Sequence, residues 1–149
     1  MAIVAESFLP AVNGVTNSVV RIVEELTRAG HECVVIAPGP GADCVGVTRV
    51  IRVRAFDLPR YGDLRIGLPT ARMTALLRKL DPDVVHLAAP AVLGAAAAIS
   101  ARRLGIPSVA IYQTDLAGFA GRHRLGIARG AIWRWVSWVH RRADLTLAP

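Results

Sequence analysis

Residues 2–39 read AIVAESFLPAVNGVTNSVVRIVEELTRAGHECVVIAPG, and the order of patterns in this stretch decides the fold. Segments 2–6 and 32–37 are short and apolar, which predicts two buried strands. Between them, apolar residues recur at helical spacing, which predicts a helix over residues 15–28. Gly30 follows that segment as a C′ residue that ends the helix.

The same alternation of strands and helices continues along the chain. Further strands are predicted at 45–53, 84–88, 107–112 and 144–148. Further helices are predicted at 70–80 (with Thr70 as N-cap), 91–104 (ended by Gly105) and 127–142. Near-continuous apolar strands that alternate with helices indicate a parallel sheet covered on both faces. The predicted fold is therefore α/β, a Rossmann-like doubly wound parallel sheet.

The composition is that of one globular domain. The 149 residues are 53% hydrophobic, and the longest apolar runs, 90–99 and 107–112, are shorter than the roughly 20 residues of a membrane span. No charged segment precedes the first apolar run, so no signal peptide is predicted. Cys33 and Cys44 form no CxxC pair, which favours reduced thiols in a cytoplasmic protein.

The formal net charge is +7, and of the 18 basic residues only Lys79 is a lysine. A basic domain can bind nucleic acid, anionic lipid or phosphorylated small molecules. Because the sequence contains no recognised nucleic-acid motif or stacking platform, nucleic acid is not an expected partner.

The first loop, residues 7–17, is the first candidate for a ligand site. Ligands of doubly wound sheets bind beyond the carboxyl ends of the strands, and this loop links such an end to a helix N-terminus. Gly14 allows backbone amides to approach a bound anion. The alternative is a plain turn in which Asn13 or Thr16 caps the helix. Neither GxxxxGK[ST] nor a GxGxxG after the first strand is present. Gly39 and Gly41 follow the second predicted strand with a proline between them, and they are interpreted as loop breakers rather than a phosphate cradle.

Together with this loop, the segments DPDVVHLAAPAVLG (81–94), LGIPSVAIYQTDLAGFA (104–120) and RRADLTLAP (141–149) carry a family resemblance. The chain resembles family 4 glycosyltransferases of the GT-B fold, specifically GDP-mannose-dependent α-mannosyltransferases of actinobacterial lipid glycosylation. The resemblance extends over essentially the whole chain, and the NGVT, HLAxP and YQTD segments occur in the expected order.

The resemblance implies two Rossmann-like domains separated by a cleft. Residues 1–149 would be the N-terminal, acceptor-side domain, and the C-terminal domain that holds most of the nucleotide sugar would be absent from this chain. It further implies that Asn13, Gly14 and Val15 reach the donor diphosphate or sugar. A GT-B fold needs no bound metal, so neither a metal nor another cofactor is expected. Asp81-Pro-Asp83 matches the DxD letters but precedes a strand, at the wrong edge of the sheet.

The resemblance also places catalytic and acceptor-binding candidates after the fifth strand. Tyr112 could pack against a sugar, and Gln113 and Asp115 could hydrogen-bond to hydroxyl groups. Many family members have a histidine where Gln113 stands, and glutamine cannot act as a base. Asp115 is therefore expected only to orient the acceptor hydroxyl. The alternative is a capping aspartate and a buried amide.

Three further residues are acceptor-binding candidates. His86 lies inside the fourth predicted strand, where it either lines the cleft or is a structural core histidine. Arg60 and Tyr61 lie in the polar connection 58–69, where they either contact an acceptor head group or belong to a solvated loop.

The last predicted helix and the residues before it are rich in arginine and contain all three tryptophans. At helical spacing, Arg134, Trp138 and Arg141 share one face, which Arg122 and Arg124 extend, and this composition fits a membrane interface. Another face is the expected core face; it comprises Ile127, Ala131, Trp135 and Val139. The alternative is a packed helix with solvated charges. The expected location is the cytoplasmic, inner face of the plasma membrane.

The resulting functional hypothesis is a retaining glycosyltransferase that transfers mannose from GDP-mannose to a lipid or glycolipid acceptor in an interdomain cleft. One alternative is a non-catalytic half-domain that binds acceptor or membrane. Another is a family 4 enzyme that uses a different sugar nucleotide. A Rossmann-fold dehydrogenase is disfavoured by the missing glycine fingerprint.

Overall fold

The computed structural model describes residues 1–57, 65–68, 72–113 and 126–148. The strands in these ranges are β1 (Ala2–Ala5), β2 (Val34–Pro38), β3 (Cys44–Val45), β4 (Thr48–Val53), β5 (Ala55–Asp57), β6 (Arg65–Gly67), β7 (Val85–Ala88), β8 (Ser108–Ile111) and β9 (Leu145–Leu147). The helices in the same ranges are α1 (Gly14–Arg28), α2 (Met73–Leu80), α3 (Leu93–Leu104) and α4 (Gly126–His140).

Seven of the described strands form one sheet in the order β3-β4-β2-β1-β7-β8-β9. All neighbouring pairs from β4 to β9 are parallel, and β3 at the margin is antiparallel to β4. The chain extends first to one side of β1 and later to the other, so the strand order reverses beside β1. This topology confirms the predicted doubly wound sheet, and its switch point is where such folds bind ligands.

The core has two layers because side chains of a strand alternate between its faces. Ile3 and Ala5 of β1 pack in a cluster with Val19 and Val23 of α1. Val4, from the other face of β1, belongs to the second cluster. That second cluster also includes Met73 and Leu77 of α2 and Leu93, Ala97 and Ala98 of α3. All four β1 residues are buried, as the apolar pattern predicted.

The predicted ends of the helices are largely confirmed. Gly30 has a φ of +86° after α1, and Gly105 has a φ of +69° at the C-cap of α3. Both angles lie in the left-handed region that glycine adopts without steric penalty. Helix α2 begins at Met73 with Arg72 at the N-cap position, whereas the predicted cap, Thr70, lies outside the described residues.

Two segments differ from the predicted elements. The predicted strand 45–53 is a hairpin of β3 and β4, with Gly46 in a left-handed conformation at the turn. Strands β5 and β6 pair antiparallel in a small separate sheet, although 58–69 was expected to be loop. Three-residue strands are too short to show a period in the sequence.

Both cysteines are free thiols; Cys33 is half-buried and Cys44 is exposed. None of the helices in the described ranges has the length and hydropathy that crossing a membrane requires.

The edge strand β9 is connected to β8 by hydrogen bonds of the Asp144 side chain, which directly precedes it. The Asp144 Oδ2 atom accepts hydrogen bonds from the Ser108 backbone N–H at 2.8 Å and the Ser108 hydroxyl at 3.0 Å. These bonds favour the ionised form and lower the pKa of the Asp144 carboxyl. Because the folded-state pKa is depressed, the stabilisation is present at pH values above the unfolded pKa and is lost as the pH falls through the folded pKa.

We therefore expect Asp144→Asn to lower the free energy of unfolding at pH 7, and the deficit to shrink at pH values below 3.8, the ordinary aspartate pKa. Urea unfolding at pH 7 and pH 3 measures both values. Asp83→Asn, at another exposed aspartate, is the matched control. A deficit that is equal at the two pH values would contradict the assigned role of the Asp144 carboxylate.

Candidate functional site

The carboxyl edge of the sheet, where β2, β1, β7 and β8 end at Pro38, Ala5, Ala88 and Ile111, is the candidate site. Asn13 lies there as the N-cap of α1. Its Oδ1 accepts from the Thr16 backbone N–H at 3.0 Å, and its Nδ2 donates to Ser7 Oγ at 2.7 Å. The capping alternative for Asn13 is therefore confirmed, and its predicted contact with a donor stays a prediction.

Gly14 and Val15 form the first turn of α1. The first N–H groups of a helix have no acceptor within the helix, and their partial positive charges form the positive end of the helix dipole. In the described part of the chain, a Cβ atom at Gly14 would meet no heavy atom within 4 Å other than those of its chain neighbours and its own helix backbone. The space above this turn is therefore open, and backbone N–H groups border it.

Arg52 of β4 holds three segments of the carboxyl edge together. Its guanidinium donates to the backbone carbonyls of Leu9 at 2.8 Å, Ala42 at 3.0 Å and Pro38 at 3.2 Å. Its Cζ also lies 5.7 Å from the ring centroid of the buried Phe8. Burial lowers the pKa of the Arg52 guanidinium, and the nearby charge of Asp43 partly offsets that effect.

Gly41 allows this close approach. A Cβ atom at Gly41 would lie 2.4 Å from Arg52 Nη2 and 2.8 Å from the Leu9 carbonyl oxygen. The glycines at 39 and 41 were interpreted as loop breakers, and Gly41 serves in addition to admit the guanidinium.

Glu6 follows β1 directly and is half-buried. Its Oε1 accepts from the backbone N–H groups of Ala91 at 2.7 Å and Gly94 at 2.8 Å, and its Oε2 accepts from Leu93 at 3.2 Å. Burial raises the pKa of the Glu6 carboxyl, and these backbone donors oppose the rise. The carboxylate therefore occupies the N-terminus of α3.

The segment between β7 and α3 is constrained from both sides. Ala89 has a φ of +51°, a left-handed conformation that is unfavourable for a residue with a Cβ. Beyond it, the Ala91 carbonyl accepts a 2.9 Å hydrogen bond from the indole Nε1 of Trp135. Contacts with β1 and with α4 together therefore hold this segment.

Tyr112 and Gln113 follow β8 at the same edge. The Tyr112 ring makes edge contacts with Trp133, at 6.1 Å between centroids, and with His140, at 5.7 Å. Within the described residues, the buried Nε2 atom of Gln113 has no hydrogen-bond partner. A buried amide donor without a partner is costly, and a ligand oxygen at this position would satisfy it.

His86 lies within β7, on the face of the sheet rather than beyond its edge. It borders a groove of about 480 Å³ whose lining includes Ile22 and Leu26 of α1. Burial lowers its pKa, and in the described chain its Nε2 atom has no partner. The structure does not bring His86 together with Tyr112, and its role in acceptor binding stays a prediction.

The predicted core face of α4 is confirmed at Val139 and wrong at Ala131 and Trp135, and the side chain of Ile127 lies outside the described ones. Val136 and Val139 are buried, whereas Ala131 is exposed and Trp135 is 44% exposed. Trp138 is half-buried and stacks on Trp135 at 4.9 Å, with the Arg142 guanidinium 3.3 Å from its centroid. Arg134 and Arg141 are exposed, as the interface hypothesis requires.

Five predicted site residues lie outside the described ranges: Arg60, Tyr61, Asp115, Arg122 and Arg124. Asp81, from the DxD-like letters, lies at the C-cap of α2 and thus precedes β7. This position is at the amino ends of the strands, as the sequence indicated.

Sequence reasoning assigned no role at the site to Glu6 or Arg52, and it placed Trp135 in the core. Glu6 had one usable signal, because an acidic residue that directly ends a buried apolar strand needs nearby donors. Arg52 alternates with Arg49 and Arg54 in the strand pattern, so its position alone does not distinguish it.

Residues 12–149 match the sequence profile of glycosyltransferase family 4. The chain belongs to this family. Similar proteins named GDP-mannose-dependent alpha-mannosyltransferase occur in Mycolicibacterium smegmatis (54% identical over 156 residues), Mycobacterium tuberculosis (53% over 156) and Corynebacterium glutamicum (48% over 155). Each alignment covers 100% of this chain but 41%, 41% and 37% of the respective relative. The chain thus spans about two fifths of the length of these curated relatives.

Membership of glycosyltransferase family 4 confirms the resemblance drawn from the loop segments. In this family 4 domain, the NGVT segment forms the first turn of α1 and the segment HLAAP leads from β7 toward α3. The sheet topology brings both to the carboxyl edge.

We expect Arg52→Lys to lower the free energy of unfolding by about 1–2 kcal/mol, allowing for solvent screening of a partly exposed cation. A lysine ammonium cannot reproduce the fork that reaches three carbonyls. Urea unfolding at pH 7 measures the difference. Arg54→Lys, at an exposed position on the same part of the chain, should cost about 0.5 kcal/mol or less. An equal loss of unfolding free energy in the two variants would refute the role of Arg52 in holding the three segments together.

Proposed function

We propose that this chain is the acceptor-side half of a retaining mannosyltransferase that uses GDP-mannose and acts on a lipid or glycolipid acceptor. The observation that carries the proposal is the 48–54% identity, over the whole chain, to proteins named GDP-mannose-dependent alpha-mannosyltransferase. The remaining length of those relatives would supply the second domain, with most of the donor site.

The carboxyl edge supports binding of the donor diphosphate at α1. The edge presents two helix N-termini, those of α1 and α3, and such ends attract anions. The α3 end already holds the Glu6 carboxylate, whereas the space over Gly14 at α1 is open. Backbone N–H groups at α1 would stabilise the departing diphosphate as the sugar bond breaks.

The end of β8 supports a nearby acceptor. The unpartnered Nε2 of Gln113 is a suitable donor for a sugar or acceptor hydroxyl oxygen. Because an amide cannot take up a proton, Gln113 would orient its partner rather than act as a base. Asp115 remains the proposed residue for orienting the acceptor hydroxyl.

The transfer test joins this chain to the remaining residues of the Mycolicibacterium smegmatis relative. We expect that chimera to move radiolabelled mannose from GDP-mannose into membrane lipid. The 149-residue chain should transfer almost none, because half a cleft cannot position the donor. Gly14→Trp should abolish transfer without unfolding the chimera, since its side chain enters open space that the donor needs.

Gly14→Ala is the matched control, because a single methyl group should leave most of that space free. Normal transfer by a folded Gly14→Trp chimera would refute the donor role of the α1 loop. No transfer by the unmodified chimera with GDP-mannose, but transfer with another sugar nucleotide, would overturn the donor assignment. Failure with every donor would favour the non-catalytic half-domain.

The α4 surface, defined by Trp133, Arg134, Trp135 and Arg141, supports peripheral binding to an anionic membrane. Trp133 is 52% exposed, and both arginines are exposed. Indole rings favour the headgroup region, and guanidinium groups pair with lipid phosphates. The net charge of +7 adds long-range attraction to an anionic leaflet. The proposed location is therefore the cytoplasmic face of the plasma membrane.

We expect the chain to co-sediment with vesicles that contain phosphatidylglycerol, and binding to weaken as salt is raised. Arg134→Glu combined with Arg141→Glu should reduce the bound fraction about tenfold or more, at roughly 1 kcal/mol per basic residue. Arg54→Glu with Arg103→Glu changes the net charge equally at exposed positions elsewhere. If both pairs weaken binding to the same extent, the α4 surface has no specific role.

A further inference from the structure

The Glu6 carboxylate connects two segments that are far apart in the sequence. It leaves the sheet at the end of β1 and accepts three backbone hydrogen bonds from residues 91, 93 and 94. Their sequence separation reaches 88 residues, so the carboxylate joins two distant segments at the switch point of the sheet. All three partners are backbone N–H groups that donate to the carboxylate, so in the described residues its contacts are with the main chain of one segment.

Gly94 shows how closely the two segments are fitted. A Cβ atom at this position would lie 2.5 Å from the Cβ of Pro90 and 3.4 Å from Glu6 Oε1. Only a residue without a side chain lets the first turn of α3 approach both the carboxylate and the preceding proline. The position of this turn therefore depends on Glu6 on one side and on Pro90 on the other.

The connection continues to α4 through the same peptide segment. Ala91 donates its N–H to Glu6 and accepts the Trp135 indole N–H at its carbonyl. Trp135 in turn stacks on Trp138. A displacement of the segment around Ala91 would thus disturb one hydrogen bond to Glu6, at the end of β1, and another to Trp135, on α4.

We propose that Glu6 is a positioning residue: its carboxylate fixes the segment between β7 and α3 and, through Ala91, sets the position of α4 relative to the carboxyl edge. The structural connection does not depend on the identity of the substrate. Its consequence for transfer rests on the proposed function, in which this edge binds the acceptor and the donor diphosphate.

The first experiment uses the 149-residue chain and nuclear magnetic resonance. Glu6→Gln keeps one acceptor oxygen but turns an NH₂ group toward the Leu93 N–H. We expect amide exchange at Ala91, Leu93 and Gly94 to accelerate about tenfold or more, and the Trp135 indole N–H resonance to shift. Amides of Val19 and Val23 in α1 should be unaffected.

Glu25→Gln is the matched control, because Glu25 is 70% exposed and its ion pair in the described residues is with Arg28, one turn away on the same helix. A simple capping role for Glu6 would change the three amides and leave the Trp135 indole unchanged, and that result would overturn the proposal. Should Glu6→Gln fail to fold, Trp135→Phe tests the same connection from its other end. Faster exchange at Ala91, Leu93 and Gly94 would support the proposal, and unchanged exchange would overturn it.

The second experiment measures transfer by the chimera, well below its unfolding temperature. We expect Glu6→Gln to lower kcat/KM for the acceptor about tenfold while Glu25→Gln leaves it unchanged, since misplacement of substrate-positioning groups costs rate. A loss of thermal stability with unchanged kcat and KM would show a purely structural role. If the unmodified chimera transfers no mannose, the proposed function fails, and the resonance experiment still decides the role of Glu6.

Discussion

The candidate site depends on the pairing of β1 with a parallel strand on each side. Ala5 lies beside Ala88 in that register, so Glu6 emerges next to the residues that lead into α3. A shift of one residue would exchange the two core faces of β1 and turn the carboxylate away from its donors. Burial on both faces therefore sets the fold and, at the same time, aligns the loops of the carboxyl edge.

Local sequence patterns were sufficient to predict the fold because the spacing of apolar residues distinguishes its main helices from its main strands. The β1-α1-β2 unit, the two glycine stops and the order of the remaining strands all follow from apolar spacing and helix-end chemistry. The hairpin of β5 and β6 could not be predicted in this way. Its strands have three residues each, and its pairing depends on a contact between segments rather than on composition.

The contacts that hold the site were not predictable from spacing. Arg52 and Leu9 are 43 residues apart, and Glu6 and Gly94 are 88 residues apart. The buried face of helix α4 was mispredicted for another reason. Apolar residues lie all around this helix, so more than one of its faces fits a helical period. Tertiary packing buries Val136 and Val139 and leaves Trp133 and Trp135 largely exposed. The predicted sheet indicated that the loops at its carboxyl edge would form the site, but the roles of individual loop residues came only from resemblance to a family.

The two residues that organise the carboxyl edge, Arg52 and Glu6, bind main-chain atoms. Carbonyl and N–H groups are present whichever side chain stands at positions such as 9, 42 or 91. These positions can therefore change over evolution without loss of the hydrogen bonds that hold their segments. A domain built in this way can acquire new ligand preferences by loop substitution, with selection at Arg52, Glu6, Gly41 and Gly94 preserving the frame.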